Sequence, residues 1–135
     1  MLLAGNLLID GALAAGRVEI AGGVLRAVEL TPGIDPAVIA GLPIIAPGLI
    51  DLHIHGFGGC DPLVDMAGMA SALASAGTTA FQPTLFPAEP AQLGAHAAAC
   101  QVEPAAGARV LGTHLEGPFV NPKSAGALPL ADLAE

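Results

Sequence analysis

The sequence predicts an α/β protein in two parts, a small β-unit over residues 1–45 and a parallel α/β sheet over residues 46–135. Three observations predict it. Two alternating runs, RVEI and VLRAVEL, flank Gly22-Gly23, a pairing that signals a β-hairpin. Thr31 to Pro43, with Pro32, Gly33, Pro36, Gly41 and Pro43, is punctuation without periodicity and marks a domain boundary. Beyond it, strand-like and helical rhythms alternate, the pattern of strands joined by crossover helices.

Taken in order, LLAGNLLIDGALAAG, RVEI and VLRAVEL are the short strands of the first part. The run IIAPGLIDLHIHG opens the second part as a strand. Asp61-Pro62 then offers an N-cap and a proline at the first helical position. Leu63, Met66, Ala70 and Leu73 recur at helical spacing up to Gly77, where a glycine ends the helix. TTAFQPTL is the next strand, and Pro90 to Gln101 a weaker helix that buries Leu93, Ala97 and Cys100. A PAAGA loop leads into RVLGTHLEG as a third strand. The closing ADLAE has the composition of a further helix start, so the architecture reads as cut short.

Composition narrows the function. The chain has 135 residues, 53% of them hydrophobic, which is enough apolar surface to fold. Four Lys and Arg stand against twelve Asp and Glu, for a formal net charge of -8. That balance leaves no basic patch for nucleic acid or an anionic membrane surface. Pro, Gly or an acidic residue interrupts every apolar run well short of the roughly 20 residues of a membrane helix. Met1 to Leu8 lacks the basic start of an export signal. Cys60 and Cys100 form neither a CxxC motif nor a disulfide framework, so a soluble cytoplasmic protein is expected.

His53 and His55 stand two apart near the end of a strand, so both project from one face while Ile54 takes the other. They read as two ligands of one metal ion, with Asp51 on the same face to orient them, or as a hydrogen-bonded pair without metal. His114 and Glu116 repeat the spacing at the end of the third strand. A carboxylate at the end of an apolar strand requires a metal, a cation or several donors. The other reading of Glu116 is an exposed loop residue before Pro118. His114 stays open between ligand, supporting donor and structural residue. His96, among alanines, reads as solvent-facing, Cys60 as an inert thiol, and Lys123 as a solvated loop lysine.

The run Pro47-Gly48-Leu49-Ile50-Asp51-Leu52-His53-Ile54-His55-Gly56 resembles the first-strand signature of the metal-dependent amidohydrolase superfamily. With Gly77-Thr78-Thr79, Pro83-Thr84-Leu85, His114-Leu115-Glu116-Gly117-Pro118-Phe119, Asn121-Pro122-Lys123 and Gly126-Ala127, the resemblance narrows to the N-acetylglucosamine-6-phosphate deacetylase family. It covers the chain to about residue 130 and corresponds to the N-terminal third of such an enzyme. The resemblance implies a small β-sandwich segment, to be completed by C-terminal strands, followed by the first three βα units of a (β/α)8 hydrolase barrel. An eight-stranded barrel typically needs roughly 250 residues.

The same resemblance implies the roles. Glu116 falls on the family's primary metal ligand, and His53 and His55 on a second metal position, with Asp51 and His114 in support. Ala127 and Leu128 fall on substrate-contacting positions, Leu128 where many relatives carry His or Gln. One or two divalent ions, zinc or another, are implied, with an amino-sugar phosphate as substrate and a homo-oligomeric complete enzyme. The implied reaction is hydrolysis of the acetamide of N-acetylglucosamine 6-phosphate to glucosamine 6-phosphate and acetate. The general-base aspartate and two further histidine ligands of the family lie on later strands, so this chain alone is expected to be inactive. The alternatives are another amidohydrolase, such as a cyclic amidase or deaminase, and a non-catalytic truncated fragment.

Overall fold

Asp10 and Gly11, at φ 49° and 77°, reverse the chain between β1 (Leu2–Ile9) and β2 (Ala12–Ala21). Gly22 and Gly23, at φ 60° and 73°, do the same between β2 and β3 (Val24–Leu30). Two consecutive positive φ angles match the twist of the strands they join, and glycine adopts them without a steric penalty. β1 and β2 pair antiparallel from Leu2↔Glu19 to Ile9↔Ala12, which makes ALAAG and RVEI one strand rather than two. A register irregularity between Glu19 and Ile20 interrupts the β2–β3 ladder. β4 (Ile44–Ile45) runs parallel to β1, completing a sheet of order β3-β2-β1-β4. The computed structural model describes residues 1–35, 38 and 40–128; Pro36 and the predicted helix start at ADLAE lie outside the described residues.

The chain divides into two units, Met1–Pro47 and Gly48–Glu135. In the first, Leu7, Ala15 and Val18 are buried, while Leu8, Leu25 and Val28 stay exposed around an open apolar groove. Arg17 and Glu29 are cross-strand partners joined at 2.6 Å, a solvent-exposed pair of small energetic weight. The run IIAPGLIDLHIHG is therefore two strands. Its first two residues belong to the sheet of the first unit, and Pro47, lacking an N–H, separates them from the strand beyond it.

Among the described residues, the second unit is a parallel sheet with two α-helices. β5 (Leu49–Ile54), α1 (Met66–Ser75), β6 (Thr78–Leu85), α2 (Pro90–Ala99), β7 (Arg109–Val110) and β8 (His114–Leu115) occur in that order. β6 is central, with β5 on one side and β7 and β8 on the other. Met66, Met69, Ala70 and Leu73 of α1 pack with Phe81 and Leu85 of β6, and with Leu93, Cys100 and Ala108. Each large side chain fully buried there contributes about 1.5–3 kcal/mol.

Two further element expectations change. The α1 N-cap is Asp65, whose side chain accepts from the Gly68 N–H at 2.8 Å. Asp61 instead accepts from the Leu63 N–H at 2.8 Å and closes a turn, so Leu63 precedes the helix and is exposed. RVLGTHLEG is two short strands, because Gly112, at φ 141°, leaves the extended conformation between them. α2 buries Leu93, Cys100 lies fully buried just past its end, and Ala97 is partly buried.

Candidate metal centre

His53 and His55 flank Ile54 at the C-terminal end of β5. Ile54 packs against the core, which leaves both imidazoles on the opposite face. Glu116 directly follows β8, and its N–H still donates to the Leu85 carbonyl at 3.1 Å, which fixes the carboxylate beside the end of β6. Across β6 the three side chains meet. Glu116 Oε2 lies 2.8 Å from His55 Nε2 and 3.6 Å from His53 Nε2. Glu116 is thus not a free loop carboxylate; its side chain is 28% exposed, against 30% for His55 and 53% for His53.

One ligand atom from each of the three lies within 4.8 Å of the others. Nitrogen and oxygen ligands about 2 Å from a common ion sit within about 4 Å of each other, so the donor set fits a divalent cation after small side-chain adjustment. Two imidazoles and one carboxylate form a borderline donor set suited to zinc and its neighbours, and leave positions for water or substrate. Phe86 stacks on His55 with ring centroids 3.9 Å apart and planes 12° apart. The same imidazole's Nδ1 is buried without a hydrogen-bond partner among the described residues.

The supporting residues sit close by. Asp51 Oδ1 accepts from the His53 backbone N–H at 3.1 Å, so it braces the backbone rather than the imidazole. The His114 ring lies 4.7 Å from that of His53, and its Nδ1 is 3.2 Å from Thr84 Oγ1. Ala127 and Leu128 are held elsewhere in the loop, where the Leu128 N–H donates to the Ala125 carbonyl at 3.1 Å; the contacts that assemble the cluster do not include them. Lys123 stands exposed in a single helical turn, Pro122–Ser124, capped by Asn121. His96 is not fully solvent-facing: it is half-buried and lines a cavity of about 450 Å³ with His55, Phe86, Glu89 and Gln92.

Both cysteines are free thiols. Desolvation raises the Cys60 thiol above its ordinary value, and the Asp65 carboxylate, 3.6 Å from Sγ, raises it further. Burial, with a smaller contribution from Asp61, does the same to Cys100. Neither environment makes a reactive thiolate. The sequence reading includes Thr84 only as part of a family motif, with no role, and misses Phe86. A Phe two residues beyond Thr84, at the exit of a parallel strand, was the available signal.

No family model matches the chain. It is 40% identical over 98 residues to the N-acetylglucosamine-6-phosphate deacetylase of Bacillus subtilis, a match spanning 64% of this chain and 24% of that protein. It is 33% identical over 129 residues to the N-acetylgalactosamine-6-phosphate deacetylase of Escherichia coli O157:H7, spanning 89% of this chain and 33% of that protein. The chain therefore spans about a quarter to a third of the length of these relatives. Among solved structures, the N-acetylglucosamine-6-phosphate deacetylase of Thermotoga maritima superposes with a TM-score of 0.77 at 26% identity, over 98% of this chain and 36% of that one. A mutant of the Mycobacterium smegmatis enzyme, in complex with N-acetyl-D-glucosamine-6-phosphate, gives 0.71 at 25% identity, over 100% and 37%. In sequence and in backbone, the chain is similar to the N-terminal third of the N-acetylglucosamine-6-phosphate deacetylases.

Proposed function

We propose that this chain carries part of the metal centre of an enzyme that hydrolyses the acetamide of N-acetylglucosamine 6-phosphate, giving glucosamine 6-phosphate and acetate. The convergence of His53, His55 and Glu116 from two strands onto one point carries the reading. The relatives' names supply the substrate. A bound divalent ion, zinc or another, supplies Lewis acidity toward the acetamide oxygen and activates water. Glu116 is the primary ligand, set between the two imidazoles, and His53 and His55 complete a second position. Asp51 holds the His53 backbone, His114 fills the space beside the His53 ring, and the loop with Ala127 and Leu128 contacts the sugar. We assign residues 1–45 to a small β-domain and 46–135 to the start of a barrel. Free thiols suit a reducing cytoplasm.

Zinc-loaded residues 1–135 alone should release no glucosamine 6-phosphate above a Glu116→Gln control, because groups that act as a unit in catalysis fail together. Co-expressed with the remaining portion of the Bacillus subtilis relative, the chain should restore release, and Glu116→Gln should lower it by more than about a hundredfold, exceeding typical losses from residues behind the ligands. Release only from N-acetylgalactosamine 6-phosphate would move the substrate to that of the Escherichia coli relative. Zinc binding with no turnover of either sugar in the complemented protein would refute the deacetylase reading.

A further inference from the structure

We propose that Thr84 is the positioning residue of this metal centre, holding the strand of His53 and His55 in register with the strand of Glu116; the proposal rests on the metal-site reading above. Thr84 is the penultimate residue of the central strand β6 and is 1% exposed. Its Oγ1 accepts a hydrogen bond from the Ile54 N–H at 2.9 Å. Ile54 is the residue between the two histidines, and the β5–β6 ladder slips register between Asp51 and Ile54. The hydroxyl therefore provides an acceptor where the regular ladder is interrupted, and the aim of both imidazoles depends on it. On the opposite side Thr84 is the register partner of His114, whose Nδ1 meets the same oxygen at 3.2 Å. His114 in turn packs its ring 4.7 Å from that of His53 and stands two residues before Glu116.

One buried hydroxyl thus touches both strands that carry ligands. A hydroxyl has one proton and two lone pairs, so it can take the amide N–H and still bond the imidazole in either tautomer. Valine has the same shape and can do neither. Serine keeps the oxygen. Residues that orient metal ligands typically change affinity about 10–100-fold when removed.

The test is calorimetric zinc titration of the full chain, with the cobalt(II) absorption spectrum as a readout of ligand geometry and circular dichroism as a check on folding. Thr84→Val is expected to weaken zinc by about 10–100-fold and change the cobalt spectrum, while Thr84→Ser restores both. Unchanged affinity and spectrum in Thr84→Val would overturn the proposal, as would a serine variant as weak as valine. If the valine variant loses its fold, Ile54 amide exchange in the unsubstituted chain decides: protection that deepens with zinc supports the proposal, and exchange as fast as that of the open β5 edge overturns it. Equal zinc affinity in wild type and His53→Ala/His55→Ala fails the metal-site reading itself, a result distinct from a silent Thr84.

Discussion

At the scale of single residues, the surroundings of a group decide what it can do more than its identity. Cys60 lies near the candidate centre in sequence, yet desolvation and the Asp65 carboxylate both favour its neutral thiol. A thiol with a raised folded-state value adds stability that is fully present below the unfolded-state value of about 8.5, and loses it as pH rises through the folded value. Cys60 should therefore be alkylated by iodoacetamide more slowly than free cysteine at pH 8. Asp65→Asn keeps a capping oxygen for α1 but removes the negative charge, so it should accelerate the reaction. Mass spectrometry of labelled peptides reads the rate, and an unchanged or slower reaction in the asparagine variant would count against the electrostatic account. The same logic separates the histidines. His55 is clamped beneath Phe86, whereas His53 is the more exposed of the pair.

At the scale of elements, register and backbone approach matter most, and here the sequence was only partly readable. The HxH and HLE spacings announce which side chains share a face, because a strand alternates with period two. That Glu116 reaches both imidazoles depends on β5 and β8 flanking β6, which no local pattern encodes. The role of Thr84 was not legible for the same reason: its partners come from two other strands. Pro47 and Gly112 each divide a continuous apolar run, the first between units and the second within a strand. The sequence places the α1 cap at Asp61, ahead of Pro62, whereas Asp65, four residues later, takes the role. Gly107 illustrates close approach. At φ 101°, it lies against α1, where an added Cβ would fall 2.6 Å from the Ala70 carbonyl carbon. Gly107→Ala should cost at least about 1–2 kcal/mol from the φ angle alone, read as a lower denaturant midpoint at unchanged slope. A midpoint at or above that of the parent would show that the loop can move away from the helix.

At the scale of the whole molecule, the exposed apolar surface points to association. Leu49, Ile50 and Leu52 of β5 are 65%, 61% and 57% exposed, and Phe119 is 73% exposed. β5 has β6 on one edge, and among the described residues no strand pairs with the other. Unpaired apolar edges template pairing with further chains. Purified residues 1–135 should elute well above 13.2 kDa in size-exclusion chromatography with light scattering. A monodisperse monomer with a cooperative thermal transition would contradict this. The central place of β6, which contributes no ligand of its own, has a further consequence. The two imidazoles and the carboxylate lie far apart in the chain and meet only when both flanking strands have docked on the strand between them. A cation at that point would then be a late staple, rewarding only molecules whose long-range pairing is complete. Its apparent affinity would fall in proportion to the fraction so assembled. A zinc titration of this chain would therefore double as a census of its folded population.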